Sequence, residues 1–476
     1  MKITKYIFII GIVALCSAIW TGCNKFLDIN PKSEVVNDDM FSTAEGCEDA
    51  LYGIYATLSN QTDLFGLDLS VAIPEILMGD ISSDRTNEYG EFAQRVWDQS
   101  YGPSARAALW RISYQVIGYI NNAILNLERS EENFRYMNIY KGEAYALRAF
   151  MHFEVAKYFA VSFNSANPER LNKALPYVTT YDYVITPYSS LSDFFSKIIS
   201  DLKTAERYLA EDEKYVTANR TNAATEFISC RMIHLNLYAV KALLARVYWY
   251  MNDLDNAEIY ASQVINSQKF PLMSSSEFIN AENGTINLKE TIFGLYSTDF
   301  PETYYKDFFT NNSFTLTPEV IESYETDGLG VDVRVSRWFN TADKTCTKHL
   351  NDATANGLTY TGSSIIGIPL ISISEMYMIV AEAKRTSDPE ASIAAMDMVV
   401  EARGLTKYAD RPDVSQLTIN DIVNERKKEF IMESLIFTDY KRSGRDVTIN
   451  NTTFDGMSDD TYTMPIPQNV EDNYRE

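Results

Sequence analysis

Glu425, Glu429 and Glu433 recur at every fourth position, the spacing that sets side chains on one face of a helix. Paired carboxylates are the machinery of glycoside hydrolysis, so the series raises a surface hydrolase as one reading. Its neighbours point elsewhere. Arg426, Lys427 and Lys428 sit among the glutamates and Arg442 lies further along. Mixed charges along a helix usually form a packing or solvated ion-pair network. The G-x-S-x-G, H-E-x-x-H and G-x-x-x-x-G-K-[ST] patterns do not occur, which removes the common hydrolase, zinc-protease and nucleotide signatures.

Aromatic side chains are the stronger chemical signal. The chain has 31 Tyr, 24 Phe and 5 Trp, too many for scaffold packing to account for those in irregular stretches. Segment 80–101 interleaves Arg85, Asn87, Tyr89, Trp97 and Tyr101. Sugars offer C–H faces that cover aromatic rings and hydroxyls that need paired hydrogen bonds. The expectation is therefore that Trp97 stacks on a sugar while Arg85 and Asn87 bind its hydroxyls. Tyr304 and Tyr305, with Phe308, Phe309 and Trp338 nearby, form a second group of candidates. Binding of this kind needs no catalytic residue, metal or cofactor.

The elements that must hold these residues are mainly helical. Tyr140, Ala144, Leu147, Met151, Val155 and Tyr158 step by three or four through 136–159. Val240, Leu243, Leu244, Val247, Tyr248 and Met251 do the same through 237–251. Each stripe must be buried on a neighbour. Further helices are expected over 43–60, 105–129, 188–210, 254–267, 373–386, 389–403 and 418–442, with starts signalled at Ser189 and Asp388-Pro389. Ala242, Ala245, Ala257 and Ala261, with Tyr248 and Tyr260 around the polar turn Asn252–Asn256, resemble a tetratricopeptide unit. One such unit cannot bury its own faces, so stacked neighbours are expected. Stretches 61–104, 161–187, 268–318, 325–372 and 443–476 read as loops, with short strands at 291–296 and 365–373. Long loops on a rigid scaffold are where binding usually resides.

At the N-terminus, Lys2 and Lys5 precede the uncharged run Tyr6–Ala18 and the pair Gly22-Cys23. The run falls short of the ~20 apolar residues a spanning helix needs. Residues 1–22 therefore read as a lipoprotein signal peptide, Cys23 as the lipidated residue, and 23–476 as one domain of interleaved helical and loop-rich parts. A net charge of −23 excludes a nucleic-acid face and simple adhesion to anionic lipid. Cys47, Cys230 and Cys346 are odd in number and far apart, so neither a disulfide framework nor a zinc site is expected. His152, His234 and His349 are isolated, and His152 and His234 read as packed or surface residues in helix-like stretches.

Several motifs, in order, carry a family resemblance. They are Cys23-Asn-Lys-Phe26-Leu27-Asp28 with Pro31, Ala50-Leu51-Tyr52-Gly53 with Tyr55, and Trp110 with Tyr114 and Asn121. Next come Gly142-Glu143-Ala144-Tyr-Ala-Leu147-Arg148-Ala149-Phe150 and Ser374-Glu375-Met-Tyr377 with Ala381-Glu382-Ala383. Glu425-Arg426, Glu429-Phe430, Asp439-Tyr-Lys-Arg442 and Met464-Pro465-Ile466-Pro467 close the series. Together they resemble the SusD/RagB family of outer-membrane nutrient-binding lipoproteins. The resemblance implies a mainly α fold, with tetratricopeptide-like helix pairs beside an irregular, loop-rich ligand-binding half. It implies a ligand site near segment 80–101 and a partner, a TonB-dependent β-barrel transporter of the SusC type, capped by this protein at the cell surface. Family ligands are glycans and sometimes peptides. The reading is delivery of a glycan or oligosaccharide to that transporter. A peptide-binding member, a surface glycoside hydrolase and a protein-only helical adaptor are the alternatives.

Overall fold

The computed structural model describes residues 37–82, 88–182, 184–217, 226–310, 314–326, 328–350 and 364–473. Eleven principal helices organise it. They are α1 Ala44–Asn60, α2 Ile73–Met78, α3 Gly102–Arg129, α4 Met137–Phe159, α5 Leu191–Tyr208 and α6 Leu237–Tyr250. Then follow α7 Leu254–Asn266, α8 Ile373–Lys384, α9 Pro389–Ala402, α10 Ile419–Glu429 and α11 Leu435–Ser443. From α3 to α9 each helix packs on the next, giving the stacked array expected of tetratricopeptide-like pairs. None of the described helices is long and apolar enough to cross a membrane.

Local chemistry sets the helix ends. Ser190, not Ser189, caps α5 by accepting the Asp193 N–H, while Tyr188–Ser189 pairs as a short strand with Leu175–Pro176. Asp388 caps α9, as its place before Pro389 predicts. Asn236 caps α6 through Oδ1 and ties its amide to the carbonyls of Arg231 and Ile292. Tyr248 and Tyr260 stack at 5.9 Å between α6 and α7, the spacer role the pattern suggests. A small three-stranded antiparallel sheet, in the order β1 (Thr285–Asn287), β3 (Ser364–Ser372), β2 (Thr291–Tyr296), lies beside the array.

Two expectations need correction. Stretch 61–104 is not a bare loop: it contains π-helical turns at Thr62–Gly66 and Asp68–Ala72, then α2, then a short helix Glu88–Ala93. The expected helix 418–442 is two helices. Met432 adopts a left-handed φ of 59°, and the chain turns between α10 and α11. The carbonyls freed at the end of α10 are taken up by Lys348, whose ammonium donates to Glu429 O and Ile431 O, and by His349 on Met432 O. Glu433 therefore leaves the face shared by Glu425 and Glu429.

The motifs of the sequence are the places where charge is buried. Gly142 lets α4 approach the turn after α5, since a Cβ there would lie 2.5 Å from Leu209 Cγ. Beside it Glu143 is fully buried, ion-paired to Arg231, 2.8 Å from Tyr55 Oη and 3.0 Å from His234 Nδ1. Burial raises the Glu143 pKa, but Arg231 and His234 outweigh it and hold it at about 2. Arg231 also forks onto Asp212 at 2.7 and 2.9 Å. Arg148 forks onto Asp201 at 2.7 Å in both bonds. Arg246 forks onto Glu375 at 2.7 and 2.6 Å, joining α6 to α8. Glu382 collects Arg426, Arg442 and the Trp249 indole N–H.

Removing one member of such a cluster strands a charge away from water. The Arg231→Met variant, which takes the guanidinium away from Glu143 and Asp212, should lose about 3–5 kcal/mol of stability in urea denaturation. Substituting the fully buried Ala245 by Arg should be of the same severity, because Glu375 and Glu382 beside α6 are already paired with Arg246, Arg426 and Arg442.

Candidate functional site

The structure joins the two aromatic stretches singled out in the sequence. Ile81 bridges to Leu316 and the Ser82 N–H donates to Thr315 O at 2.8 Å. Tyr89, half-buried on the Glu88–Ala93 helix, donates from its hydroxyl to Asp68 at 2.8 Å and sets its ring edge-on to Phe314 and Phe308. Burial raises the Asp68 pKa to about 7. Tyr304 is half-buried, with its hydroxyl donating to Asn60 O at the end of α1. Tyr101 stands just before α3 with its ring 49% exposed. Glu91 fixes it there by accepting the N–H groups of Tyr101 and Gly102 at 3.0 and 2.6 Å. The carboxylate serves the free amides of the helix start. Arg85 and Asn87 lie outside the described residues.

Three candidates are corrected by their burial. Trp97 is 8% exposed and packs on Phe92, its indole N–H without a partner among the described residues. Tyr305 is fully buried, its hydroxyl bound to Cys346 O and its ring edge-on to His349. Trp338, 7% exposed, lies under the Lys348 ammonium and beside a separate cavity of about 100 Å³. Trp97 and Tyr305 offer no ring face to a ligand, and Trp338 reaches only that small cavity. Other exposed rings carried no sequence signal of their own. Tyr181 lies 52% exposed against Gly118 in the middle of α3, with Tyr119 41% exposed beside it. A glycine inside a 28-residue helix was the available hint, since it is costly unless something packs closely there.

The carboxylate series is neutralised. Glu429 bonds Arg403 at 3.0 and 2.5 Å and Arg334 at 3.1 Å, Glu425 pairs with Arg334, and Glu433 pairs with Lys348. Burial pushes the Glu429 pKa up, but Arg403, Arg334 and Lys348 hold it at about 2. Such a group cannot act as a general acid near neutrality. The partners also differ from the sequence neighbours. Arg426 serves Asp439 and Glu382 instead.

The histidines are structural. His152 donates from Nδ1 to Arg148 O, accepts the Val178 N–H at Nε2, and stacks on Tyr177 at 3.9 Å. His234 lies just outside α6 rather than within a helix, against Glu143. Burial lowers the pKa of both His152 and His349 to about 3.

Two measurements follow. Trp97→Ala should cost about 3–5 kcal/mol of stability, whereas Tyr101→Ala should stay within about 0.5 kcal/mol. Chemical denaturation of the two variants side by side distinguishes core from surface. The histidines give a pH signature. The unfolded chain protonates each near 6.5 while the folded protein keeps it neutral down to about 3. Stability therefore falls as pH drops from 6.5 towards 3, by roughly 2 kcal/mol per histidine at pH 5. A His349→Gln variant should show a shallower loss between pH 6.5 and 4.5 than the parent.

The comparisons with known proteins agree with this architecture. Residues 25–249 match the SusD-like family described as starch-binding and associating with the outer membrane, and residues 304–475 match the SusD family. The SusD-like protein P38 of Formosa agariphila is 22% identical over 98% of this chain and 97% of its own length. A SusD superfamily protein of Bacteroides thetaiotaomicron superposes with a TM-score of 0.71 at 21% identity, covering 92% of this chain and 98% of the other. Surface glycan-binding protein A of the same organism, solved with laminarihexaose, gives 0.64 at 17% identity over 91% and 98%. The chain belongs to the SusD/RagB family of non-catalytic binding proteins.

Proposed function

We propose that this protein is a lipid-anchored receptor at the outer-membrane surface that captures an oligosaccharide and passes it to a TonB-dependent β-barrel transporter. The observation that carries the ligand assignment is Tyr101. It is a large ring held out of the core at a fixed helix start, with Tyr89 and Tyr304 on neighbouring elements. A rigid exposed tyrosine gives a sugar face contact area with little ordering cost. Arg85 and Asn87, in the same segment, are assigned the hydrogen bonds to sugar hydroxyls. The relative bound to laminarihexaose supports the ligand class. The family description supports the location. The transporter and the anchor at Cys23, after removal of residues 1–22, rest on the sequence motifs.

Isothermal titration against a panel of soluble oligosaccharides tests the reading. Tyr101→Ala should weaken the best ligand by about tenfold or more, equivalent to ~1.4 kcal/mol, with the melting temperature unchanged. Equal affinity in the variant would remove Tyr101 from the site. In the native bacterium, Cys23→Ala should move the protein from the membrane to the soluble fraction. Retention of that variant in membranes lacking the transporter would refute lipidation at Cys23.

A further inference from the structure

A cleft of about 430 Å³ is bounded by the end of α4 (Phe159 to Val161), the Asn167–Ala174 segment, Tyr188 and the closing stretch Thr463–Ile466. Its volume falls within the ~300–1,000 Å³ typical of small-molecule sites. None of the residues singled out in the sequence for ligand contact lines it. Three features mark it as a built site.

First, its back wall is pinned from inside. Lys441 is buried, and its ammonium donates to the carbonyls of Lys157, Ala160 and Tyr462 at 2.7, 2.6 and 3.1 Å. Thr463 donates to Ala160 O as well, and the Met464 N–H bonds Tyr158 O. The closing stretch is thereby fixed against the end of α4, so the cleft is preformed rather than a gap between mobile parts.

Second, it is tied to the turn that leads to Tyr101. Arg106, 4% exposed, donates to Pro465 O in the cleft wall at 2.6 Å and to Trp97 O and Asp98 in the turn leading to Tyr101, both at 2.9 Å. One guanidinium holds both walls in register.

Third, its charges are balanced. Its lining carries Glu169, Arg170 and Lys173, and Asp459 and Asp460 stand against Arg170, within a chain whose net charge is −23. Arg170 is shared between Asp459 and Asp460 at 3.5 and 3.3 Å. Lys173 sits at the rim, exposed, its ammonium 5.0 Å from the centre of the Tyr188 ring and outside salt-bridge reach of any described carboxylate. Such a rim donates to hydroxyls, and the floor of Phe159, Val161, Met464 and Ile466 is apolar.

We propose that the cleft is a second sugar subsite, which receives the uncharged end of an oligosaccharide whose other part lies on Tyr101. The inference rests on the glycan-binding reading above and deepens it by fixing the ligand class as neutral. A polyuronate would bring repeated negative charge to a wall whose Arg170 is already shared by Asp459 and Asp460, on a strongly acidic protein.

The test uses the mature protein and hexaoses of three kinds: β-1,3-glucan, α-1,4-glucan and oligogalacturonate. The expected result is binding of a neutral hexaose that varies little between 50 and 500 mM NaCl. Lys173→Ala and Tyr188→Ala should each weaken it about tenfold, and Lys173→Ala should leave the melting temperature unchanged. Ile466→Trp, which fills the cleft, should do the same if Tyr188→Ala proves unstable. Loss of binding in Tyr101→Ala but not in Lys173→Ala or Ile466→Trp would overturn the cleft while leaving the glycan reading intact. Preference for oligogalacturonate would overturn the neutral class. Binding of none of the hexaoses would overturn both readings together.

Discussion

A charge moved out of water must find an opposite charge, and much of this fold is arranged around that constraint. Arg231, Arg334, Arg403 and Arg426 are among the largest fully buried side chains in the protein. Each meets at least two carboxylates: Arg231 joins Glu143 to Asp212, Arg403 joins Glu290 to Glu429, Arg426 joins Glu382 to Asp439, and Arg334 gathers Asp332, Glu425 and Glu429. The guanidinium suits this use because its planar fork can satisfy two carboxylates and cannot shed its proton. Pairs of this kind add little net stability over an apolar core, but they penalise any other alignment. Helices α4, α6, α8 and α10 are thereby held in one register, and the loop-rich half inherits that precision.

The region around Tyr101 depends on the same principle at smaller scale. Glu91 orders Tyr101 through two amides, Arg106 spans from the Tyr101 turn to Pro465, and Lys441 gathers three carbonyls behind the cleft. Arg95 does similar work with Leu77 O, Ala93 O and Thr461 O. Cationic side chains thus replace regular secondary structure in holding irregular backbone together. This explains how a segment with so few strands can present fixed rings.

Helices were legible because their apolar stripes and caps are local. Asp388-Pro389 gave the start of α9, and the alanine pattern gave α6 and α7 to within a residue or two. The break between α10 and α11 was not legible, because its cause is Lys348 and His349 arriving from a distant loop. Ring exposure was illegible for the same reason. Trp97 and Tyr101 stand four positions apart in similar company, yet one packs on Phe92 and the other faces solvent. The motif Gly142–Phe150 could be matched to a family from its letters, but its reason lies in partners such as Arg231 and Asp201, outside the motif. Glu425, Glu429 and Glu433 could be assigned to ion pairs from sequence, though not to the right partners.

The array from α3 to α9 would by itself behave like other stacked repeats, free to fray from either end because each unit touches only its neighbours. Here the chain doubles back. Lys441 on α11 grips the end of α4, and Phe437 stacks on Tyr158 at 5.2 Å, so the last helix is fastened to the second member of the row. The fastening ties an early helix of the row to a segment almost three hundred residues further along the chain. Hydrogen exchange through α4 and α11 should then report one shared opening event rather than independent fraying of the two helices.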